Sequence, residues 1–294
     1  MSELAVVTPT YGPDAELFAH LHRSVLEHTS DDTVHHVIVP PADRSLFARY
    51  AGPRCRLWTY PEILPRHVVH VPGTNLWVNA RRPWPPLRGW VVQQAVKIAV
   101  TALLDARVVL VADSDVVLVR RALPEHFVRD GRVTFFRADD GVHDGMADHV
   151  VWHRAARALL GLPSGFTLPQ PDYISSLAIW EPAVARAMQE RVAEATGRDW
   201  LAAFTSHLQV SEFIVYGVFV DEVLKASPPV DTMICHNRWE RTPLDPAGAV
   251  AFADLLDPRA IGMMISAKSR TPMAARLAAI QRCAQVTGPD GSHP

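Results

Sequence analysis

Short apolar runs alternate with amphipathic stretches along this chain. Leu4 to Val7 reads as a buried strand, followed by the turn-rich Thr8-Pro9-Thr10-Tyr11-Gly12-Pro13 and a helix that Asp14 can cap. Val34 to Val39 is a second strand, broken by Pro40-Pro41; Ala42 to Tyr50 is helix-like, and Arg56 to Tyr60 is a third strand. Between Pro65 and Gly89 no period survives, which predicts a long irregular loop carrying Trp77 and Trp84. Trp90 to Leu104 resumes as a helix, with Val92, Val96, Ala99 and Leu103 on one stripe and Gln93, Gln94 and Lys97 elsewhere on its surface. Further strands are expected at Val108 to Ala112, Val133 to Phe136, Tyr173 to Trp180 and Thr232 to Cys235. Helices are expected at Asp148 to Leu160, Pro182 to Ala195 and Glu212 to Leu224, the last capped by Ser211. The pattern predicts an α/β fold with a mostly parallel sheet flanked by helices, and ligands at the carboxyl ends of the strands.

The apolar run Val108 to Ala112 leads into Asp113-Ser114-Asp115, whose carboxylates share a strand face, or share a turn if the strand ends at Asp113. Two hard carboxylates one residue apart suit Mg2+ or Mn2+, which keep several waters and complete their shell from substrate phosphates. The competing interpretation is a turn in which an aspartate caps a backbone amide. Trp77, Trp84 and Trp90 offer flat apolar faces to a sugar, although Trp90, opening a helix, reads first as a core anchor. Glu212 opens a helix between Ser211 and Phe213-Ile214-Val215, so its carboxylate is either aimed at a pocket as a general base or placed to complement the helix dipole. Asp172 is the alternate base, and Asp139 and Asp140 read as loop residues.

Bulk composition narrows the partners. The 294 residues are 48% hydrophobic with a formal net charge of -2, enough apolar content for a full core and no field favouring nucleic acid. Lysine occurs at positions 97, 225 and 268 alone, so arginine supplies nearly all the basic charge, a bias that fits a GC-rich bacterial genome. Lys97 therefore stands out, either as a cation for a ligand or as part of a solvated helix face. Cys55, Cys235 and Cys283 are too dispersed for a zinc cluster or a disulfide framework, which suggests a reducing cytoplasm. No apolar run approaches the ~18 residues that span a bilayer, so stable membrane insertion is not expected. His35, His36 and His143 read as structural or solvated.

Val7-Thr8-Pro9-Thr10-Tyr11, Gly89-Trp90 with Gln93-Gln94 and Lys97, Asp113-Ser114-Asp115, Ser211-Glu212-Phe213 with Tyr216-Gly217, and His236 near Trp239 occur in an order that resembles the GT-A superfamily of nucleotide-sugar glycosyltransferases. The resemblance covers roughly residues 4 to 240. It implies that Thr8, Tyr11, Gln94, Lys97 and Ser114 hold a nucleoside-diphosphate sugar (UDP or GDP), and that Asp113, Asp115 and His236 hold Mn2+ or Mg2+ on the diphosphate. It also implies a GT-A-like catalytic domain over 1–286, with a nucleotide-binding half at about 1–120, a helical acceptor-side half at about 121–286, and a disordered tail at 287–294. The expected reaction is sugar transfer to a small-molecule or glycan acceptor, with Glu212 as base. The segment after Tyr173 departs from the pattern, having Ile174-Ser175-Ser176 where more polar residues are expected. Two other readings remain: a haloacid-dehalogenase-type phosphatase with Asp113 as nucleophile, and a non-catalytic sugar-nucleotide-binding protein. Oligomeric state is not legible.

Overall fold

The computed structural model describes residues 2–225 and 228–287. Its central sheet has five strands in the order Leu177–Trp180, Ala106–Ala112, Ser2–Pro9, Val34–Val39 and Cys55–Thr59. The last four run parallel, and Leu177–Trp180 lies antiparallel beside Ala106–Ala112. Val6 and Val7 of the first strand and Val108 to Ala112 are buried, as expected of interior parallel strands covered on both faces.

The connectivity positions the site. From Ser2–Pro9 the chain steps one way to Val34–Val39 and Cys55–Thr59, then returns to the other side of the first strand with Ala106–Ala112. Such a reversal opens a crevice at the carboxyl ends of the two strands involved. The Pro9–Tyr11 segment and Asp113 therefore meet there.

The Gly89–Leu103 helix corrects the expected stripe. Val91, Val92, Ala95, Val96, Ile98 and Val100 are buried together with Gln94 and Lys97, whereas Leu103 is exposed. The helix packs against the first strand on one side and against the Pro182–Thr196 and Glu212–Val218 helices on others, so almost its whole circumference is interior.

Other expectations also change. Residues 65–89 are not an irregular loop: Val68–His70, Leu76–Asn79 and Arg82–Arg88 form an antiparallel three-stranded sheet. Its inward contribution is concentrated in Val68, Trp77 and Leu87, while prolines and arginines occupy the exposed positions, which hid the alternation. Val133 to Phe136 divides into Arg132–Val133 and Phe135–Phe136. The strand expected at Tyr173 to Trp180 is confined to Leu177–Trp180, and Gln170–Asp172 pairs instead with Ala138–Val142. Glu212 opens an α-helix that ends at Val218 and continues as a π-helical turn over Phe219–Leu224. The strand expected to end at Cys235 begins there, Cys235–Arg238, and joins Gly262–Ile265 and Val116–Leu118 in a second small sheet. Pro246–Asp254 and Met273–Thr287 are helices that the sequence pattern did not signal. Thr287, expected to open a disordered tail, is the last residue of the Met273–Thr287 helix, and the rest of that tail, 288–294, lies outside the described residues. Among those residues no helix is long and apolar enough to cross a membrane.

Candidate active site

The crevice contains a charge cluster centred on Lys97. Its Nζ donates to Asp113 Oδ1 at 2.8 Å and to Glu212 Oε1 at 2.9 Å. The Lys97 and Glu212 side chains are 6% and 4% exposed, whereas that of Asp113 is 38% exposed and opens to the cleft. Burial alone would lower the lysine's pKa, but the two carboxylates prevail and hold it above its ordinary value. Burial pushes the Glu212 carboxyl up, opposed by Lys97 and reinforced by Asp113.

Three elements hold this cluster in place. Asp113 follows the buried strand, with its N–H donated to Ser176 O at 3.1 Å and its carbonyl accepting from Val116 N–H at 3.1 Å. Lys97 comes from the buried helix. Glu212 sits in the first turn after Ser211, whose Oγ accepts from Ile214 N–H, and its own N–H donates to Gln94 Oε1 at 3.0 Å.

Asp115 is bonded to a different loop. Its Oδ2 accepts from Ala267 N–H at 2.7 Å, and burial with the charge of Asp113 raises its carboxyl to about 6. The Ala267 loop is pinned in turn by Arg276, which donates to Ser266 O at 2.9 Å and to Thr271 O at 3.1 Å. Asp14 makes no side-chain cap at its helix; it lines the cleft instead, its carboxyl raised by burial and by Asp113. The pattern did offer a signal, since an aspartate directly after the first-strand loop is placed at the crevice as readily as at a helix end.

The cleft encloses about 460 Å³, within the range of small-molecule sites. Tyr11, Gln93, Gln94, Lys97, Asp113, Asp115 and Glu212 line it, joined by Trp90, Trp152, Trp239, Arg241 and Lys268. Arg241 and Lys268 are exposed there, and no ion-pair partner is present for either among the described residues. Neither was anticipated, because which loops reach the cleft is decided by a sheet formed between distant segments. A cavity of about 490 Å³, lined by Arg129, Arg137 and Ile261 among others, lies apart and includes none of these carboxylates.

Several expected site residues are placed elsewhere. Thr8 is fully buried on the opposite face of its strand, its Oγ1 bound to His35 Nε2 at 3.0 Å, so it does not reach a ligand in the cleft. Ser114 does line the cleft, and its hydroxyl donates to Pro9 O at 3.2 Å, tying the two loops together. Asp172 does not line the cleft: its Oδ1 accepts from the N–H groups of Tyr173 and Ile174 at 2.8 and 3.2 Å, and Oδ2 lies 3.2 Å from His149 Nδ1. His236 does not join the aspartates either. Its ring stacks on Phe252 at 4.2 Å, its Nε2 is bonded to Phe252 O at 3.1 Å, and the reason is that it lies within a strand rather than in the loop beyond it. Among the tryptophans, Trp77 is a core residue stacked on Tyr60, Trp84 is exposed, and Trp90 lines the cleft rather than anchoring the core.

A divalent cation fits these donors in a limited way. Asp113 and Asp115 each commit one oxygen inside the protein, to Lys97 and to Ala267 N–H, and both side chains line the cleft. Among the described residues no three His, Cys, Asp or Glu side chains converge on a common point. The pair thus suits an ion that takes its remaining ligands from water and phosphate, as Mg2+ commonly does.

The sequence profile of DUF6492, a family of unknown function, matches residues 4–231. The chain belongs to that family. The DUF6492 match includes Lys97, Asp113, Asp115 and Glu212, and ends before Trp239, Arg241 and Lys268. No curated protein matches the chain in sequence. Among solved structures, the chain is similar to the galactosyltransferase LgtC in complex with donor and acceptor sugar analogs, at 13% identity and TM-score 0.44, covering 96% of this chain and 95% of that one. An active-site mutant of LgtC gives the same values.

Proposed function

We propose that the protein is a metal-dependent glycosyltransferase of the GT-A type, moving a sugar from UDP or GDP to a small-molecule or glycan acceptor. The observation that supports this best is the composition of one cleft at the sheet's switch point, where Asp113 and Asp115 occur with the cations Arg241 and Lys268, which have no ion-pair partner among the described residues. Carboxylates that want a cation and cations that want an anion are both satisfied by a metal-bound diphosphate.

Asp113 and Asp115 would hold the Mg2+ or Mn2+. When bound, such an ion supplies Lewis-acid stabilisation of charge on the diphosphate. Arg241 and Lys268 would bind its oxygens from the facing loops, and Tyr11 the nucleoside end. Lys97 has three donors, of which two are used by Asp113 and Glu212, so the third remains for a ligand oxygen. Its main work is positional, holding the metal-side aspartate and the acceptor-side glutamate in fixed relation. Glu212 would take the acceptor's proton, a role suited to a carboxyl raised by burial and aimed by a helix. The three cysteines are buried free thiols, which suits a reducing compartment such as the cytoplasm.

Release of UDP or GDP from a panel of nucleotide sugars with Mn2+ tests the proposal. Glu212→Gln is expected to keep nucleotide affinity and lose turnover by about a hundredfold or more. Normal turnover in that variant would return Glu212 to a structural role, and phosphate release from phosphomonoesters with no nucleotide-sugar turnover would favour the phosphatase reading instead.

A further inference from the structure

One helix lays out the cleft in order. Trp90, Gln93, Gln94 and Lys97 are spaced i, i+3, i+4 and i+7, so they share a face, and all four line the cleft. Seven residues of rise separate Trp90 from Lys97 by about 10 Å along the axis, room for one sugar ring. At the Lys97 end are the aspartates; at the other end Trp90 is 40% exposed, with its ring centroid 6.0 Å from that of Trp152 and the planes inclined by 38°. Trp152 is held from behind, its Nε1 donating to Gln209 Oε1 at 3.3 Å and its ring 4.8 Å from that of His149. The result is a fixed, inclined pair of aromatic faces.

Gln94 supplies direction. It is 3% exposed, and because its Oε1 accepts the Glu212 N–H, its Nε2 is the end left over, with no partner among the described residues. A buried amide donor without an acceptor is costly, and an oxygen arriving from the cleft would relieve it. Flat apolar faces beside a directional donor and a carboxylate match a pyranose, which has one face of C–H groups and a rim of hydroxyls.

Resting on the glycosyltransferase reading, we propose that this end of the cleft is the acceptor subsite and that the acceptor presents a pyranose ring to Trp90 and Trp152, with Gln94 Nε2 donating to a ring substituent. A hydroxyl of that ring lies next to Glu212. On transfer its proton passes to the Glu212 carboxylate, its oxygen bonds to the anomeric carbon, and the bond from that carbon to the diphosphate oxygen breaks with the electron pair leaving on the diphosphate.

Saturation-transfer NMR with methyl and p-nitrophenyl glucosides, galactosides, mannosides and N-acetylglucosaminides tests the subsite on the intact chain. Saturation on ring protons of at least one pyranoside is expected, with Trp90→Ala and Trp152→Ala each weakening its affinity by about tenfold and Trp90→Phe by less. Unchanged melting of the variants establishes that they are folded. Affinity within about twofold of the wild type in both alanine variants, no pyranoside binding at all, or binding through the p-nitrophenyl group alone would overturn the proposal. Calorimetry of UDP and GDP with Mn2+ separates the two claims. Nucleotide binding without pyranoside binding removes the subsite and leaves the glycosyltransferase reading; pyranoside binding without nucleotide binding removes that reading, and with it the acceptor role.

Discussion

Lys97 is the residue on which the cleft's charges depend. Among three lysines in the chain it is the one that is buried, and it is bonded to carboxylates from two segments 99 positions apart, Asp113 and Glu212. Removing one partner of a buried ion pair leaves a charge without compensation and costs about 3–5 kcal/mol. Lys97→Met is therefore expected to lower unfolding free energy by roughly that amount in urea titrations. The deficit has a pH signature. Without the ammonium, Glu212 has a folded pKa raised above its unfolded value, so it releases its proton more readily when unfolded, and stability falls as pH rises above the unfolded pKa. The Lys97→Met deficit should thus be larger at pH 8 than at pH 5, and Glu212→Gln added to it should restore much of the loss at pH 8. A deficit independent of pH, with no rescue, would show that Lys97 acts through packing alone.

At the scale of elements, the helix carrying Glu212 is fixed by close approach as well as by its cap. A Cβ on Gly217 would lie 2.1 Å from Cγ of the buried Tyr173 ring, whose hydroxyl donates to Asp221 at 2.9 Å. Gly217→Ala is expected to destabilise by about 3 kcal/mol, read as a fall in melting temperature, because the ring has a tethered hydroxyl and no room to withdraw. A neutral substitution would mean that helix and ring separate easily. The parallel strands and the Gly89–Leu103 helix were legible because continuous apolar runs and helical spacing survive in sequence. The 68–88 sheet was not, since Pro83 and Pro85 occupy exposed positions of its last strand and leave little alternation to detect. Asp113, Asp115 and Glu212 could be singled out because a strand end and a helix start limit where their carboxylates go. His236 could not be judged, because whether Cys235 ends or begins a strand is decided by pairing with Gly262–Ile265, a contact between distant segments. Arg241 and Lys268 were missed for the same reason: their loops are brought to the cleft by that second sheet and by Arg276.

The whole molecule carries a further pH dependence through its buried histidines. His22 Nδ1 lies 3.0 Å from His35 Nδ1, and His36 Nδ1 accepts from Trp58 Nε1 at 3.1 Å. Burial lowers all three pKa values, that of His36 to about 4 and that of His35 well below the usual range, with neighbouring positive charge adding to the effect. Such groups cost nothing above the unfolded value near 6.5; as pH falls below it the unfolded chain binds protons that the folded chain refuses. Denaturant titrations at pH 7.5 and 5.5 should therefore show a loss of about 3 kcal/mol from His35 and His36 alone. The raised carboxyls of Asp14, Asp115 and Glu212 work in the opposite sense, while burial that lowers His22, His28, His153 and His207 adds to the loss. Equal stability at the two pH values would contradict the neutral, buried assignment. The proposed function rests on whether the acidic wall of the cleft binds a metal together with a diphosphate. Calorimetric titration of UDP and GDP into the wild type and Asp115→Ala, with Mn2+ and with a chelator, tests this most directly. At least one nucleotide should bind the wild type about tenfold or more tightly with Mn2+, and Asp115→Ala should abolish that difference while remaining folded. Affinity that is indifferent to the metal, or no binding of either nucleotide, would contradict it.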